Sequence, residues 1–208
     1  MSEHMALENL TVLDLTRVLA GPFCTMMLAD MGANVIKIEV PKGGDDTRSY
    51  PPFRAKNLNG ERESVYFANI NRNKKGITLN LKAPEGKEIF KELVKKADIV
   101  VENYRPGVMD KLGLGYDVLK EINPRIIYAA VSGFGCYGPY HLRPGYDILA
   151  QAMGGMMSIT GSKGGEPTRA GSALGDILGG LHVTIGILPA VNARTITGKG
   201  QRGDVSLM

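Results

Sequence analysis

The stretch "AGSALGDILGGLH", residues 170–182, sets one aspartate, Asp176, among glycines and small apolar side chains. A carboxylate there has little charge to pair with and many bare backbone amides around it. Two roles fit these residues. Aspartate is a favoured helix N-cap and an apolar run follows at once, so Asp176 can simply open a helix. Alternatively it is the working group of an enzyme, an ionised nucleophile for covalent catalysis. Gly171, Gly175, Gly179 and Gly180 keep side chains away on both sides. Glycine inside a helix costs about 1 kcal/mol relative to alanine, a sacrifice that makes sense where another molecule must approach the backbone closely. The roles are compatible, because a capping carboxylate stays ionised.

Other chemistry-bearing groupings are thinner. "GFGCYG", residues 133–138, matches the dinucleotide fingerprint G-x-G-x-x-G and follows an apolar run. Pro139 and Pro144 come next, however, where a long helix should open on a pyrophosphate, and no acidic residue ends a following strand at the required distance. The segment reads as a loop. His4, His141 and His182 are scattered, and Cys136 with His141 is the only near pair, so no metal site is expected. His182 lies in an apolar helical run and reads as a satisfied core histidine. No G-x-S-x-G elbow supports a serine hydrolase.

The composition is that of a globular protein with a substantial core: 208 residues, 43% hydrophobic and 22% charged. That length suits one large domain or part of a two-domain protein. The net charge of +4 comes from lysines and arginines dispersed among acids. "KKGITLNLKAPEGKEIFKELVKK" alternates sign like a solvated helix face rather than a nucleic-acid stripe. With no Trp and scattered Phe and Tyr there is no base-stacking platform, so no nucleic-acid partner is expected. A mild positive balance does suit a small polyanion such as a phosphorylated cofactor. Cys24 and Cys136 are far apart and read as free thiols. The N-terminus lacks a signal-peptide pattern and no run reaches membrane-spanning length, which predicts a cytoplasmic protein without a membrane partner.

The elements that must position these residues alternate. "LTVLDLT", "NVIKIEV", "GITLNLK", "IVVENY", "RIIYAAVSGF" and "GDVSLM" read as strands. Between them lie helices at "GPFCTMMLADMG", "PEGKEIFKELVKKAD", "GVMDKLG", "YDVLKEI", "YDILAQAMGGMM" and "DILGGLHVTIGILPAVNARTITG", with Pro189 expected to kink the last. In the second of these, Ile89, Leu93 and Val94 share a face with Phe90 beside them. Residues 41–60 form a Pro/Gly/Asp-rich loop. This order predicts an α/β fold, an open, mostly parallel Rossmann-like sheet with helices on both faces. Ligands of such sheets gather beyond the carboxyl ends of the strands, which singles out the turns at 17–21, 39–43, 102–105 and 132–138.

"VLDLTRVLAGPFCTMMLADMGANVIKIE", "NRNKKGITLNLKAPEGKE", "DIVVENYRPGVMDKLGLGYD", "GFGCYGPYHLRPGYDILAQAMGG" and "GDILGG…TGKGQRGDVSL" resemble the family III CoA-transferases, the formyl-CoA and carnitine-CoA transferase group. The resemblance runs the length of the chain. It implies residues 1–8 as an N-terminal extension, 9–185 as a CoA-binding Rossmann-like domain, and 186–208 as a helix and strand leading into a C-terminal part without counterpart here. It also implies an interlinked homodimer of the full-length protein.

Asp176 falls on the family's catalytic aspartate. The implied chemistry moves CoA from an acyl-CoA to a small carboxylic acid through an aspartyl-CoA thioester, with glycine-freed amides holding the oxyanions. Coenzyme A enters as the acyl-CoA substrate, with no metal. The implied CoA contacts are Leu19 and Ala20 after the first strand, Leu79 and Lys82 on and after "GITLNLK", and Asn103 and Tyr104 ending "VVENY". Lys111, where the family often has arginine, and Tyr146 join them, with Lys42 and Arg143 placed to reach phosphates. A racemase branch shares the fold and the aspartate but carries a histidine base where this chain has Tyr146. Tyrosine, with an ordinary pKa near 10, substitutes poorly, which favours the transferase. A non-catalytic CoA-binding fragment is the third alternative.

Overall fold

The computed structural model describes residues 4–54, 60 and 62–208. Residues 1–3 of the expected extension and 55–59 of the expected loop lie outside the described residues. In chain order the elements are β1 (Thr11–Asp14), α1 (Ala20–Asp30), β2 (Asn34–Glu39), β3 (Phe53–Arg54), β4 (Glu63–Ser64), α2 (Val65–Ile70), β5 (Lys75–Thr78) and α3 (Pro84–Val94). There follow β6 (Ile99–Glu102), α4 (Val108–Lys111), α5 (Tyr116–Ile122), β7 (Ile127–Ser132), α6 (Asp147–Met153), α7 (Leu174–Thr197) and β8 (Arg202–Ser206).

Six strands form one parallel sheet in the order β5-β2-β1-β6-β7-β8. The chain builds outward from β1 to β5 on one side, then α3 carries it back across to β6 on the other. The carboxyl ends of β1 and β6 therefore diverge at the switch point, the crevice in which such sheets bind ligands. Alternate strand residues feed two cores. Val12, Val35, Ile99, Val101, Ala129 and Val131 pack with buried residues of α1 and α7. Leu13, Val100, Tyr128 and Ala130 pack with Phe90 and Val94 of α3 and with Met109, Leu114 and Leu119. Helices thus cover both faces, as the alternation of elements implies.

Several details differ from the sequence expectation. On α3 the inward row is Gly86, Phe90 and Val94, an i, i+4 series, while Ile89 is 51% exposed. β5 stops at Thr78, so Leu79 and Lys82 both follow it. The short β3–β4 pair and α2 have no counterpart in the predicted elements, because two-residue strands leave no periodicity to read. α7 runs unbroken through Pro189, across the division expected at 185, and β8 beyond it pairs with β7 in the same sheet. By length and composition α7 is apolar enough to cross a membrane, contrary to the expectation that no run is. Here its buried row, including Val183, Ile187 and Ala190, packs in the core beneath it.

The glycines around Asp176 also have another job than admitting a ligand. A Cβ on Gly180 would stand 2.6 Å from the Ala20 carbonyl of α1, and one on Gly179 would stand 2.6 Å from Leu207. Both serve close packing of α7. At its far end α7 is pinned by Arg194, whose guanidinium pairs with Asp98 at 3.0 Å and donates to the Asp98 and Arg125 carbonyls. Asp98 in turn accepts the Thr11 N–H that opens β1.

Gly180→Ala should therefore destabilise the 208-residue chain by about 1–3 kcal/mol, since the opposing atom is backbone and cannot rotate away. Gly186→Ala, on the same helix with nothing within 4 Å of its Cβ, should stabilise it by up to about 1 kcal/mol. Urea unfolding of the two variants checks both signs.

Candidate active site

The crevice is shaped by charged side chains buried where β1 and β2 end. Asp14, the last residue of β1, is fully buried and accepts from the Thr16 N–H and hydroxyl, the Thr25 hydroxyl and the Lys74 ammonium. Burial alone would raise its pKa, but Lys74, Lys37 and the two threonines hold it below the ordinary value. Lys37 of β2 donates to the Thr16 carbonyl at 2.8 Å and pairs with Asp45 at 3.0 Å. Asp45 then accepts the Val18 N–H. Val18 has φ +69°, a left-handed conformation that a β-branched residue rarely adopts. The network thus forces a sharp turn that delivers Leu19 and Ala20 to the start of α1.

On the facing side, Asn103 follows β6 and grips the same turn. Its side-chain oxygen accepts the Arg17 N–H at 2.9 Å and its amide donates to the Arg17 carbonyl at 2.7 Å. Between these loops lies a cavity of about 120 Å³. Among the residues implied as site members, Leu19, Ala20, Asn103, Tyr104, Arg143, Tyr146 and Asp176 line it. Lys42, Leu79, Lys82 and Lys111 do not. Lys42, Lys82 and Lys111 are exposed beyond the ends of β2, β5 and β6, and Leu79 packs partly against the second core. Asn103 is on the wall, but its amide is spent on the clamp. Arg17 and Arg105 also line the cavity; they lie in the turns 17–21 and 102–105 that the strand-end rule singles out, though the family resemblance does not name them as contacts.

Asp176 is not an N-cap. Ala173 occupies that position and Asp176 is the third residue of α7, where a carboxylate still meets the positive end of the helix. It accepts no hydrogen bond from another described residue. Burial, then the neighbouring Asp147, pushes its carboxyl up to about 6. Asp147 itself is well held: one oxygen accepts the Gly175 N–H at 2.8 Å and the other accepts from Gln151 at 2.8 Å. Gln151 also accepts the Ala170 N–H. The Gly175 amide expected to be free for an oxyanion is therefore occupied, and Asp147 and Gln151 fasten the turn that presents Asp176. Tyr66 of α2 stands close by; burial and then the charge of Asp176 push its phenol up to about 12.

Of the remaining groupings, "GFGCYG" reaches the cavity wall only through Gly133. In "GFGCYG", Gly133 packs on Gly145 so closely that a Cβ would meet its Cα at 2.4 Å, and the Cys136 N–H donates to Asp204. No helix opens there. His182 is exposed rather than in the core, and its ring contacts the Leu178 carbonyl. Both cysteines are free thiols, and burial pushes Cys24 up to about 12.

Comparison with known proteins places the chain in a family. An acyl-CoA transferase of Fusarium pseudograminearum is 52% identical over 99% of this chain and 46% of its own length. The acetyl-CoA:oxalate CoA-transferase of Acetobacter aceti is 50% identical over 96% of the chain and 50% of its own. The crystal structure of a CAIB/BAIF family protein from Brucella suis superposes with a TM-score of 0.94 at 46% identity, covering 99% of this chain and 54% of that one. The chain thus spans about half the length of the relatives it matches. The profile of CoA-transferase family III covers residues 7–208, and the chain belongs to that family.

Proposed function

We propose that the protein moves CoA from an acyl-CoA to a small carboxylic acid, with Asp176 as the covalent nucleophile. The observation that carries this reading is the Asp176 carboxylate: it lines the switch-point crevice and, among the described residues, accepts no hydrogen bond. It attacks the thioester carbonyl, and the C–S bond breaks to give a mixed anhydride and CoA thiolate. The thiolate returns to the aspartyl carbonyl, forming an aspartyl-CoA thioester and releasing the first acid as its carboxylate. The acceptor carboxylate then attacks that thioester, and the same two exchanges in reverse restore Asp176 and release the new acyl-CoA. No proton need be moved at either carboxylate, and one hard displacement is divided into easier ones.

At about 120 Å³ the cavity is well below the roughly 300–1,000 Å³ of a whole-ligand site. It suits the reacting end of the thioester, with the nucleotide part lying along the open carboxyl edge. Arg17, Arg105 and Arg143 give its walls the positive charge that phosphates and carboxylates need. The N-terminus of α1, at Leu19 and Ala20, adds amide N–H groups aimed the same way. Tyr146, 66% exposed on the wall, offers no base for a racemase.

The large exposed side chains Ile148, Met153, Ile159, Ile185 and Ile196 on and beside α6 and α7 support cover by further chain or by a partner. In the complete protein we assign that role to an interlinked homodimer. The 208-residue chain alone should self-associate in sedimentation at micromolar concentration; a stable monomer of 22.4 kDa would count against it. Calorimetry should show binding of CoA and none of NAD.

In protein expressed from the complete reading frame, Asp176→Asn should abolish transfer, because an amide cannot form the anhydride. Wild-type protein incubated with acyl-CoA and trapped with hydroxylamine should carry the modification at Asp176. Transfer should fall as pH drops through about 6, where the carboxylate protonates. Stability should move oppositely. A carboxyl raised in the folded state stabilises below its unfolded pKa, and that stability is lost as pH rises through the folded one. Ionised Asp176 then costs on the order of 2–3 kcal/mol near pH 7.5, more than the 0.3–1 kcal/mol or so a first-turn acid returns. Asp176→Asn should accordingly raise the melting temperature at pH 7.5 and leave it nearly unchanged at pH 4. Full transfer activity in the variant would reduce Asp176 to a structural residue.

A further inference from the structure

β6 ends on a carboxylate that no step of the transfer uses. Glu102 is 7% exposed and does not reach the cavity wall. One of its oxygens accepts the Tyr104 N–H at 2.7 Å, and the other accepts the Tyr128 hydroxyl at 3.1 Å. The first bond closes the turn that swings the chain from β6 into Asn103–Pro106, which is cavity wall. Asn103, inside that turn, clamps Arg17, while the Tyr104 ring packs against the second core. The turn is thus held by Glu102 at its base, by an amide clamp on one side and by a ring on the other.

The charges around Glu102 come from three directions. From β8, Arg202 attracts and Asp204 repels; from β7, Tyr128 donates; from its own turn, Tyr104 donates through its N–H. Arg17 and Asp14 act on the Tyr104 ring from the β1 side, and Cys136 lies between Arg202 and Asp204. Burial pushes the Glu102 carboxyl up to about 7, even with both hydrogen bonds and Arg202 opposing it. As a carboxylate it offers two acceptors to two donors. Once protonated, one oxygen carries a hydrogen at a place where two donors already converge.

We propose that Glu102 is a positioning residue which, as a carboxylate, holds the Asn103–Tyr104 wall in the shape that accepts CoA without touching CoA itself. The proposal rests on reading the crevice as a CoA site. Loss of the charge loosens the wall and weakens CoA binding, while the chemistry at Asp176 on the opposite wall keeps its rate once substrate is bound.

The test is calorimetric titration with CoA across pH 6–8, on wild type, Glu102→Gln and Tyr128→Phe made from the complete reading frame. Wild-type affinity should fall about tenfold as pH drops through 7. Glu102→Gln, which keeps an acceptor for Tyr104 but no charge, should bind about tenfold more weakly at pH 8 and lose the break near 7. Its kcat at saturating acyl-CoA should stay within about twofold. Tyr128→Phe removes a donor that favours the charged form, so its break should move to higher pH. Glu102→Gln binding CoA like wild type at every pH would overturn the proposal. If Glu102→Gln does not melt cooperatively, Tyr128→Phe decides: an unmoved break overturns, an upward shift supports. Wild type that binds no CoA at any pH would overturn the reading of the crevice, and this proposal with it.

Discussion

The Asp14–Lys37–Lys74–Asp45 cluster at the carboxyl ends of β1 and β2 is the constraint from which the site follows. Two ammonium groups and two carboxylates are buried there together, each with hydrogen-bonding partners on neighbouring elements. Buried pairs of this kind contribute little net stability relative to apolar residues, yet removing one member strands a charge at a cost of about 3–5 kcal/mol. What such a cluster can do is specify one shape. It ties the end of β1 to β2, to the turn before β5 and to α1, and it imposes a left-handed Val18 that no local preference would choose. Strain of this sort persists only where surrounding structure over-determines it.

The crevice also shows how one sheet edge keeps two carboxylates in opposite conditions. Asp14 collects four hydrogen bonds and two cations, and its pKa lies below the ordinary value despite full burial. Asp176 collects none among the described residues, faces another acid, and is pushed up to about 6. The difference is the supply of donors, not depth. A carboxylate saturated with donors is a structural anchor, whereas one left bare is a better nucleophile at neutral pH. Asp147 and Gln151 complete the contrast: by taking the Gly175 and Ala170 amides they hold the turn in place while keeping those donors away from Asp176.

The main strands and longer helices were legible because their apolar periodicity is long enough to count, as in α3 and β7. Asp176 stood out because a lone acid among glycines is conspicuous. Its position is three residues inside the helix rather than at the cap that one of its two readings implies, since helix-start preferences do not say which of several small residues serves as the cap. The packing role of the glycines is hidden for a related reason: sequence shows where side chains are missing, not which backbone comes close, and at Gly180 it is Ala20. The clamp from Asn103 to Arg17 and the support from Asp147 were unreadable because each joins segments far apart in the chain. Of the lysines, only position relative to strand ends could be inferred, and being beyond a strand end is not the same as facing the cavity.

α7 gives the site a property of a different kind. It is one continuous helix with Asp176 in its first turn and Arg194 in its last, and the second is fixed to Asp98 and the strand openings on the opposite edge of the sheet. Eighteen residues of helix separate these groups by about 27 Å along the helix path, so α7 links the two edges of the sheet like a ruler. The height of Asp176 above the sheet is set by a fastening at the bottom. A change at Asp98 or Arg194, remote from the cavity, would reach Asp176 as a displacement along the helix axis.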